Sequence, residues 1–170
     1  MKKARCWVIL SIVLALMGLD SLAFGQHDSK SSRQTLRGIR EIFVLIEPLK
    51  PEIDRDGVLT DQLQTETEYK LRLAGIKVCS LQQRTPLTSY IYIYVNTNIV
   101  KVKDKYICAY SAHLELIQPI ALLRDPSIST NAATWLYGMA GAISELKDLR
   151  TATNDLVDRF INAYLSVNPK

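Results

Sequence analysis

Tyr90-Ile91-Tyr92-Ile93-Tyr94-Val95 and Tyr106-Ile107-Cys108-Ala109-Tyr110-Ser111 decide the fold, joined by a link that includes Lys101-Val102-Lys103-Asp104-Lys105. Aromatic and β-branched residues in strict period two suit a pleated surface, and a polar link between two such runs suits a hairpin. The second run continues through Ala112-His113-Leu114-Glu115-Leu116 to Pro119. These two strands are expected to form the antiparallel centre of a small sheet, with the rest of the chain arranged to cover it.

Upstream, Ile39 to Glu47 has a continuous apolar centre, Ile42-Phe43-Val44-Leu45-Ile46, which predicts an interior strand flanked by helices and stopped by Pro48 and Pro51. Thr60 to Ala74 predicts a helix with Thr60 as N-cap, Asp61 in the first turn and i,i+4 pairs Glu66–Lys70 and Glu68–Arg72. Leu59, Leu63, Thr67, Leu71 and Ala74 form its apolar stripe, and Gly75 sits where a helix ends in a left-handed residue. Ile76 to Ser80 then reads as a short second strand. Strand, helix and strand at this spacing predict a βαβ unit with parallel strands and a right-handed crossover.

Downstream of the hairpin, Ile120 to Ala133 carries Arg124-Asp125-Pro126 and a Ser/Thr/Asn run, the composition of a turn or long loop. Ala133 to Gly138 reads as a last strand. Ser144 to Leu165 is the strongest helical signal, with Leu146, Leu149, Thr153, Leu156, Val157, Phe160, Ile161 and Tyr164 on one face. The fold class predicted is α+β: a mixed five-stranded sheet in β-α-β-β-β-β-α order with two helices packed on it.

The chain has 170 residues, 48% hydrophobic and 22% charged, with a net charge of +4. Lys2, Lys3 and Arg5 precede an uncharged run from Trp7 to Leu19, and Ala23-Phe24-Gly25 places small residues where a signal peptidase cuts. Residues 1–25 are therefore expected to be a cleaved secretory signal, residues 26–37 a flexible Ser-, Lys- and Gln-rich leader, and residues 38–167 one domain. The alternative for the first segment is an uncleaved anchor, for which its apolar run is short against the roughly twenty residues a spanning helix needs. Without that segment the charge falls from +4 to about +2, which gives no basic surface for nucleic acid. A periplasmic or secreted location follows, with no stable membrane anchor after cleavage.

Export bears on the cysteines. Cys79 and Cys108 remain as an even pair where disulfides persist, and the two alternatives are a bridge between them or two buried thiols.

No sequence motif specifies a reaction. Asp54-Arg55-Asp56-Gly57 resembles the start of a calcium loop but lacks the later ligands, so it reads as a solvated turn. Ser111, His113 and Glu115 alternate along one strand and project in parallel, which does not converge on a reacting atom. His113 and His27 are the two histidines of the chain, too few for a His-based zinc site. The groups around Arg37-Arg40-Glu41, Glu52-Arg55-Asp56 and Lys101–Lys105 read as solvated surface. No catalytic residue, cofactor or metal is implied.

The candidate binding residues are tyrosines: Tyr90, Tyr92 and Tyr94 share one face of the first hairpin strand, and Tyr106 and Tyr110 share a face of the second. If the two faces coincide they form a tyrosine cluster, either covered by a helix or open to a partner, a peptide or a glycan. The expected function is a non-enzymatic binding or assembly module that engages an envelope protein through a sheet edge or this tyrosine face. The alternative is a carrier of a small apolar or lipidic ligand between sheet and helix; a hydrolase comes third.

The layout also resembles the amino-terminal α/β domain of the periplasmic TolB family, through Ile42–Ile46, the Leu-Arg-Leu-Ala-Gly helix end at 71–75, the strands at 90–118 and the close from Trp135 to Tyr164. The propeller that follows in that family is not expected in this sequence, so that family's role is not carried over. The chain is also similar to small secreted bacterial proteins of unknown function with a Leu-Arg-Gly-Ile-Arg start, here Leu36–Arg40, and a Phe-Ile-Asn-x-Tyr-Leu-x-x-Asn-Pro end, here Phe160–Pro169. That resemblance implies a family and no activity.

Overall fold

A computed structural model describes residues 28–54, 58–102 and 105–169. The expected signal, residues 1–25, lies outside them, as do His27 and the centre of the Asp54–Gly57 turn. The elements are α1 (Lys30–Gln34), β1 (Glu41–Ile46), α2 (Val58–Leu73), β2 (Lys77–Val78), a 3₁₀ turn (Leu81–Gln83), β3 (Ser89–Val102), β4 (Lys105–Leu122), β5 (Asp125–Ile143) and α3 (Leu146–Val167). The fold is α+β, with one five-stranded mixed sheet in the order β2-β1-β3-β4-β5.

β1 pairs in parallel with β2 and with β3, whereas β3–β4 and β4–β5 are antiparallel. The parallel pairing expected of the βαβ unit holds, with α2 as its helix. Gly75 ends α2 at φ 85°, a conformation that glycine adopts without the cost a side chain would impose. α2 begins earlier than the Thr60 cap predicts, because Asp54 supplies the cap. Its carboxylate accepts from the N–H groups of Leu59 (2.9 Å) and Thr60 (2.8 Å) and from the Thr60 hydroxyl. Asp54 is buried, so the solvated-turn reading fails for this residue: it satisfies donors at the start of a helix, where a negative charge is favoured.

Two further expectations are corrected. Residues 26–37 are not a flexible leader throughout: Ser29 caps α1 with a capping box, and Leu36 is fully buried. The cue was short-range, Ser29 and Ser32 satisfying each other's N–H groups. The segment from Ile120 to Ala133 is not a loop: β4 runs to Leu122 and β5 starts at Asp125, with register irregularities at Leu116/Ile117 and Ala121/Leu122. Pairing across the ladder overrides the turn-like composition.

The core lies on one face of the sheet. Ile42, Val44, Ile91, Ile93, Leu114, Leu116 and Trp135 are buried there, against Leu63 and Leu71 of α2 and Leu149, Leu156, Val157 and Phe160 of α3. Trp135 meets Phe160 edge to face at 5.4 Å. β1 is accordingly not buried on both faces: Ile42, Val44 and Ile46 face the core, and Leu45 is exposed. Among the described residues no helix covers the opposite face.

Candidate functional site

The hairpin register decides where the tyrosines go. Val102 pairs with Lys105, so even positions on β3 face odd positions on β4: Tyr90 opposite Ile117, Tyr92 opposite Glu115, Tyr94 opposite His113. Paired residues project on the same side of a sheet, so these six share the face without a helix. His113 sits 5.1 Å from the Tyr94 ring and 6.4 Å from that of Tyr92, and its Nε2 is 3.6 Å from the Glu115 carboxylate. The Arg84 guanidinium lies over the rings of Phe43 (5.4 Å) and Tyr90 (4.7 Å), which extends the aromatic surface onto β1. All three tyrosines are half-buried. No hydrogen bond among the described residues joins Ser111 to His113.

The two tyrosine faces do not coincide. Tyr110 pairs with Thr97, which is buried on the core side. Its ring lies where a Cβ on Gly141 would come within 3.0 Å, and its hydroxyl reaches the Met139 sulfur at 4.0 Å. Burial, and then the negative charge of Asp155, push its pKa up. Tyr106 pairs with Lys101 toward the hairpin end, and its side chain lies outside the described residues. The five-tyrosine cluster is therefore corrected to Tyr90, Tyr92 and Tyr94, joined by His113, Phe43 and Arg84. The split follows from the two-residue connection between Val102 and Lys105, and placing that turn in the sequence would have set the parity.

The bridge between Cys79 and Cys108 is likewise not formed: both are buried free thiols. Cys79 follows β2 and Cys108 lies on β4 opposite Ile99. Three strand spacings separate them laterally, about 14 Å, whereas bridged Cα atoms lie within about 7 Å. Burial raises the pKa of both thiols.

Two features were missed by sequence reasoning. The first is the β5 edge. β5 has β4 on one side and, among the described residues, no strand on the other. From Pro126 to Ile143 it carries no charged residue, a signal that was visible in the sequence. β3 begins at Ser89, opposite the region of Gln118, so the part of the β4–β5 hairpin beyond Pro119 is a two-stranded arm. Its residues from Asp125 to Asn131 are all exposed, and Leu123 at its tip is fully so.

The second feature is an open cleft of about 550 Å³ at the end of the sheet where β1 and β3 begin, lined among others by Arg37, Arg40, Lys77, Thr85 and Thr88. One wall is tied to the end of α3. Asn168 donates to the Leu36 carbonyl (2.9 Å) and accepts from the Gly38 N–H (2.8 Å), and the Tyr164 hydroxyl donates to the Ile39 carbonyl (2.9 Å). The Leu36–Arg40 and Phe160–Pro169 segments thus meet in space. Gly38 adopts φ 75° in this bend.

A polar hub fastens α1 to the core beside β5. Asp28, its side chain 3% exposed, accepts from Arg33 (2.6 and 2.8 Å), from Arg159 (3.0 Å) and from the Trp135 ring N–H (3.1 Å). The hydrogen bond from Arg33 holds its carboxyl below the ordinary carboxylate range, against burial that would raise it.

No family model matches the chain, and no curated protein matches it. Solved structures to which the chain is similar include a hypothetical protein of Chlamydia trachomatis, 7% identical over 74% of this chain and 98% of that one, TM-score 0.46. A minor lipoprotein of Acinetobacter baumannii is 8% identical over 78% of this chain and 95% of that one, TM-score 0.41. A neuraminyllactose-binding hemagglutinin homologue of Helicobacter pylori is 13% identical over 74% of this chain and 83% of that one, TM-score 0.35. None of the three is TolB. No helix among the described residues is long and apolar enough to cross a membrane.

Proposed function

We propose that the chain is an exported, non-enzymatic binding or assembly module that engages an envelope protein by accepting a strand on the β5 edge. The observation that carries this reading is the absence of charge from Pro126 to Ile143 on a strand whose outer edge no described strand pairs, the Thr35 hydroxyl reaching its backbone only at the Thr134 carbonyl (3.4 Å). Edge strands expose unpaired N–H and C=O groups, and proteins that stay monomeric guard them with lysines, prolines or a covering element. Pro126, near the start of β5, is the only one of these guards in the strand. The arm adds to the argument: a two-stranded hairpin is marginal in water by itself, and one more strand would satisfy its backbone groups.

A carrier of apolar ligands would need an enclosed apolar space between sheet and helices. Trp135, Leu114, Leu156 and Phe160 are all fully buried in that layer, which favours the binding module over the carrier.

The test is photo-crosslinking in the host from positions Asn131 and Ala140 on β5, with exposed Tyr69 on α2 as control. The expected result is a discrete adduct with an exported protein from the β5 positions alone, with the Ala140 adduct lost when Ser129→Lys and Asn131→Lys are combined. No adduct from β5, or the same adducts from Tyr69, would overturn the proposal.

A further inference from the structure

The cleft beside Gly38 brings three cations together with one carboxylate. Lys77 is paired with Glu41 at 2.9 Å. Arg37 and Arg40 are exposed, and no carboxylate among the described residues pairs with either guanidinium. The local excess is as large as the net charge of the whole chain beyond residue 25. Unpaired arginines are ordinary on an open surface, but here they line a concave space whose wall is held by Asn168 and Tyr164.

Another part of the lining is also held in place. Thr88 is 7% exposed, its hydroxyl accepts from the Thr85 N–H at 2.9 Å, and the Thr85 and Thr88 hydroxyls lie 3.0 Å apart. Hydroxyls and guanidinium groups around one space are the donor set that tetrahedral oxyanions use, with arginine suited to bidentate contact. A concave site with a net positive charge also concentrates anions.

We propose that this cleft is an anion site for a phosphomonoester group, held by Arg37, Arg40 and Lys77 with Thr85 as hydroxyl donor. Glu41 limits the site: by pairing with Lys77 it lowers the positive charge available, which suits reversible binding. The site is independent of the β5 edge, and either can fail without the other. The phosphate has two sources with the same chemistry, a soluble phosphorylated compound or the headgroup of a phosphatidic-acid-like lipid.

The experiment is calorimetric titration of the full chain, purified from its host, with phenyl phosphate, and in parallel co-sedimentation with phosphatidylcholine vesicles with and without phosphatidic acid. Saturable heat from phenyl phosphate identifies a soluble ligand; binding only to phosphatidic-acid vesicles identifies a headgroup. Either supports the site if the double variant Arg37→Ala/Arg40→Ala weakens it by about tenfold or more, as loss of charge-assisted hydrogen bonds implies. Arg124→Ala, at the exposed β4–β5 turn, leaves it unchanged, and Glu41→Gln tightens it. Lys77→Gln is a second variant should the double one fold poorly, and it too weakens binding. Binding to neither probe, or equal losses from Arg124→Ala and the cleft variants, would overturn the proposal.

Discussion

The two faces of the sheet are built from alternate residues of the same strands, yet they differ in kind. On one side Ile91, Ile93, Leu114 and Leu116 are fully buried under α2 and α3. On the other Tyr90, Tyr92, Tyr94, His113 and Glu115 lie half-buried with no described helix above them. The covered face is mainly aliphatic, and its few polar atoms are satisfied inside the fold, as the Trp135 ring N–H is by Asp28. The open face carries rings with a polar end, joined by Arg84 and His113, which can remain in water without an unsatisfied group. Stability belongs to the first face, and the second is left open beside the β5 edge.

That contrast can be broken in order of size. Phe160→Ala removes a fully buried ring that packs on Trp135 and should cost about 3–5 kcal/mol in a denaturant titration. A loss below about 1 kcal/mol would mean that α3 is not the main cover of the core. Asp28→Ala leaves the Trp135 N–H and two arginines without their acceptor, and about 2–3 kcal/mol should be lost together with the docking of α1. Hydrogen exchange at Ser32 to Leu36 would report the α1 part directly. Tyr92→Ala on the open face should cost only about 1 kcal/mol, and an equal cost to Phe160→Ala would show that this face is covered after all.

Acid sharpens the comparison from another side. The carboxyls of Asp28, Asp54 and Glu66 all lie below their ordinary pKa values. For Asp28 the first cause is the Arg33 hydrogen bond. For Asp54 and Glu66 burial acts to raise the value, but it is outweighed by donors from Thr60 and Leu59, and from Arg150 and Asn154, respectively. A carboxyl with a depressed folded pKa adds stability that is complete above its unfolded value, about 4, and is lost as pH falls through the folded one. The thermal midpoint should therefore hold from neutral pH down to about 5 and drop below about 4, with a shallower drop in Asp28→Ala. The smallest effect is expected from reductant: with Cys79 and Cys108 free, dithiothreitol should leave the midpoint unchanged, and a fall would restore the bridge.

Most of the layout was legible in the sequence. The Ile42–Ile46 strand, the α2 stripe ending at Gly75, the β3–β4 hairpin and the amphipathic α3 all appear where periodicity places them. The candidate site was legible only in part. Tyr90, Tyr92 and Tyr94 share a face because period two alone requires it, but Tyr110 went to the core because one turn position sets the parity of the whole hairpin. β5 was half hidden because Ser, Thr and Asn usually mark loops, and the ladder to β4 overrides that preference. The cleft could not be read at all: Arg37 and Arg40, which read as solvated surface, lie roughly forty residues before Lys77 and Thr85, and no short spacing joins the two groups.

What the amino-acid order determined by itself is local. Spacings of two, three and four residues place side chains on one face of a strand or helix, whatever lies opposite. Tertiary structure alone decided which face of the sheet the helices cover, that Asp28 meets Trp135 and Arg159, and that Asn168 closes on Leu36 and Gly38. Those contacts join residues more than a hundred positions apart, so their existence depends on strand register and on how the chain returns, and no short spacing encodes either.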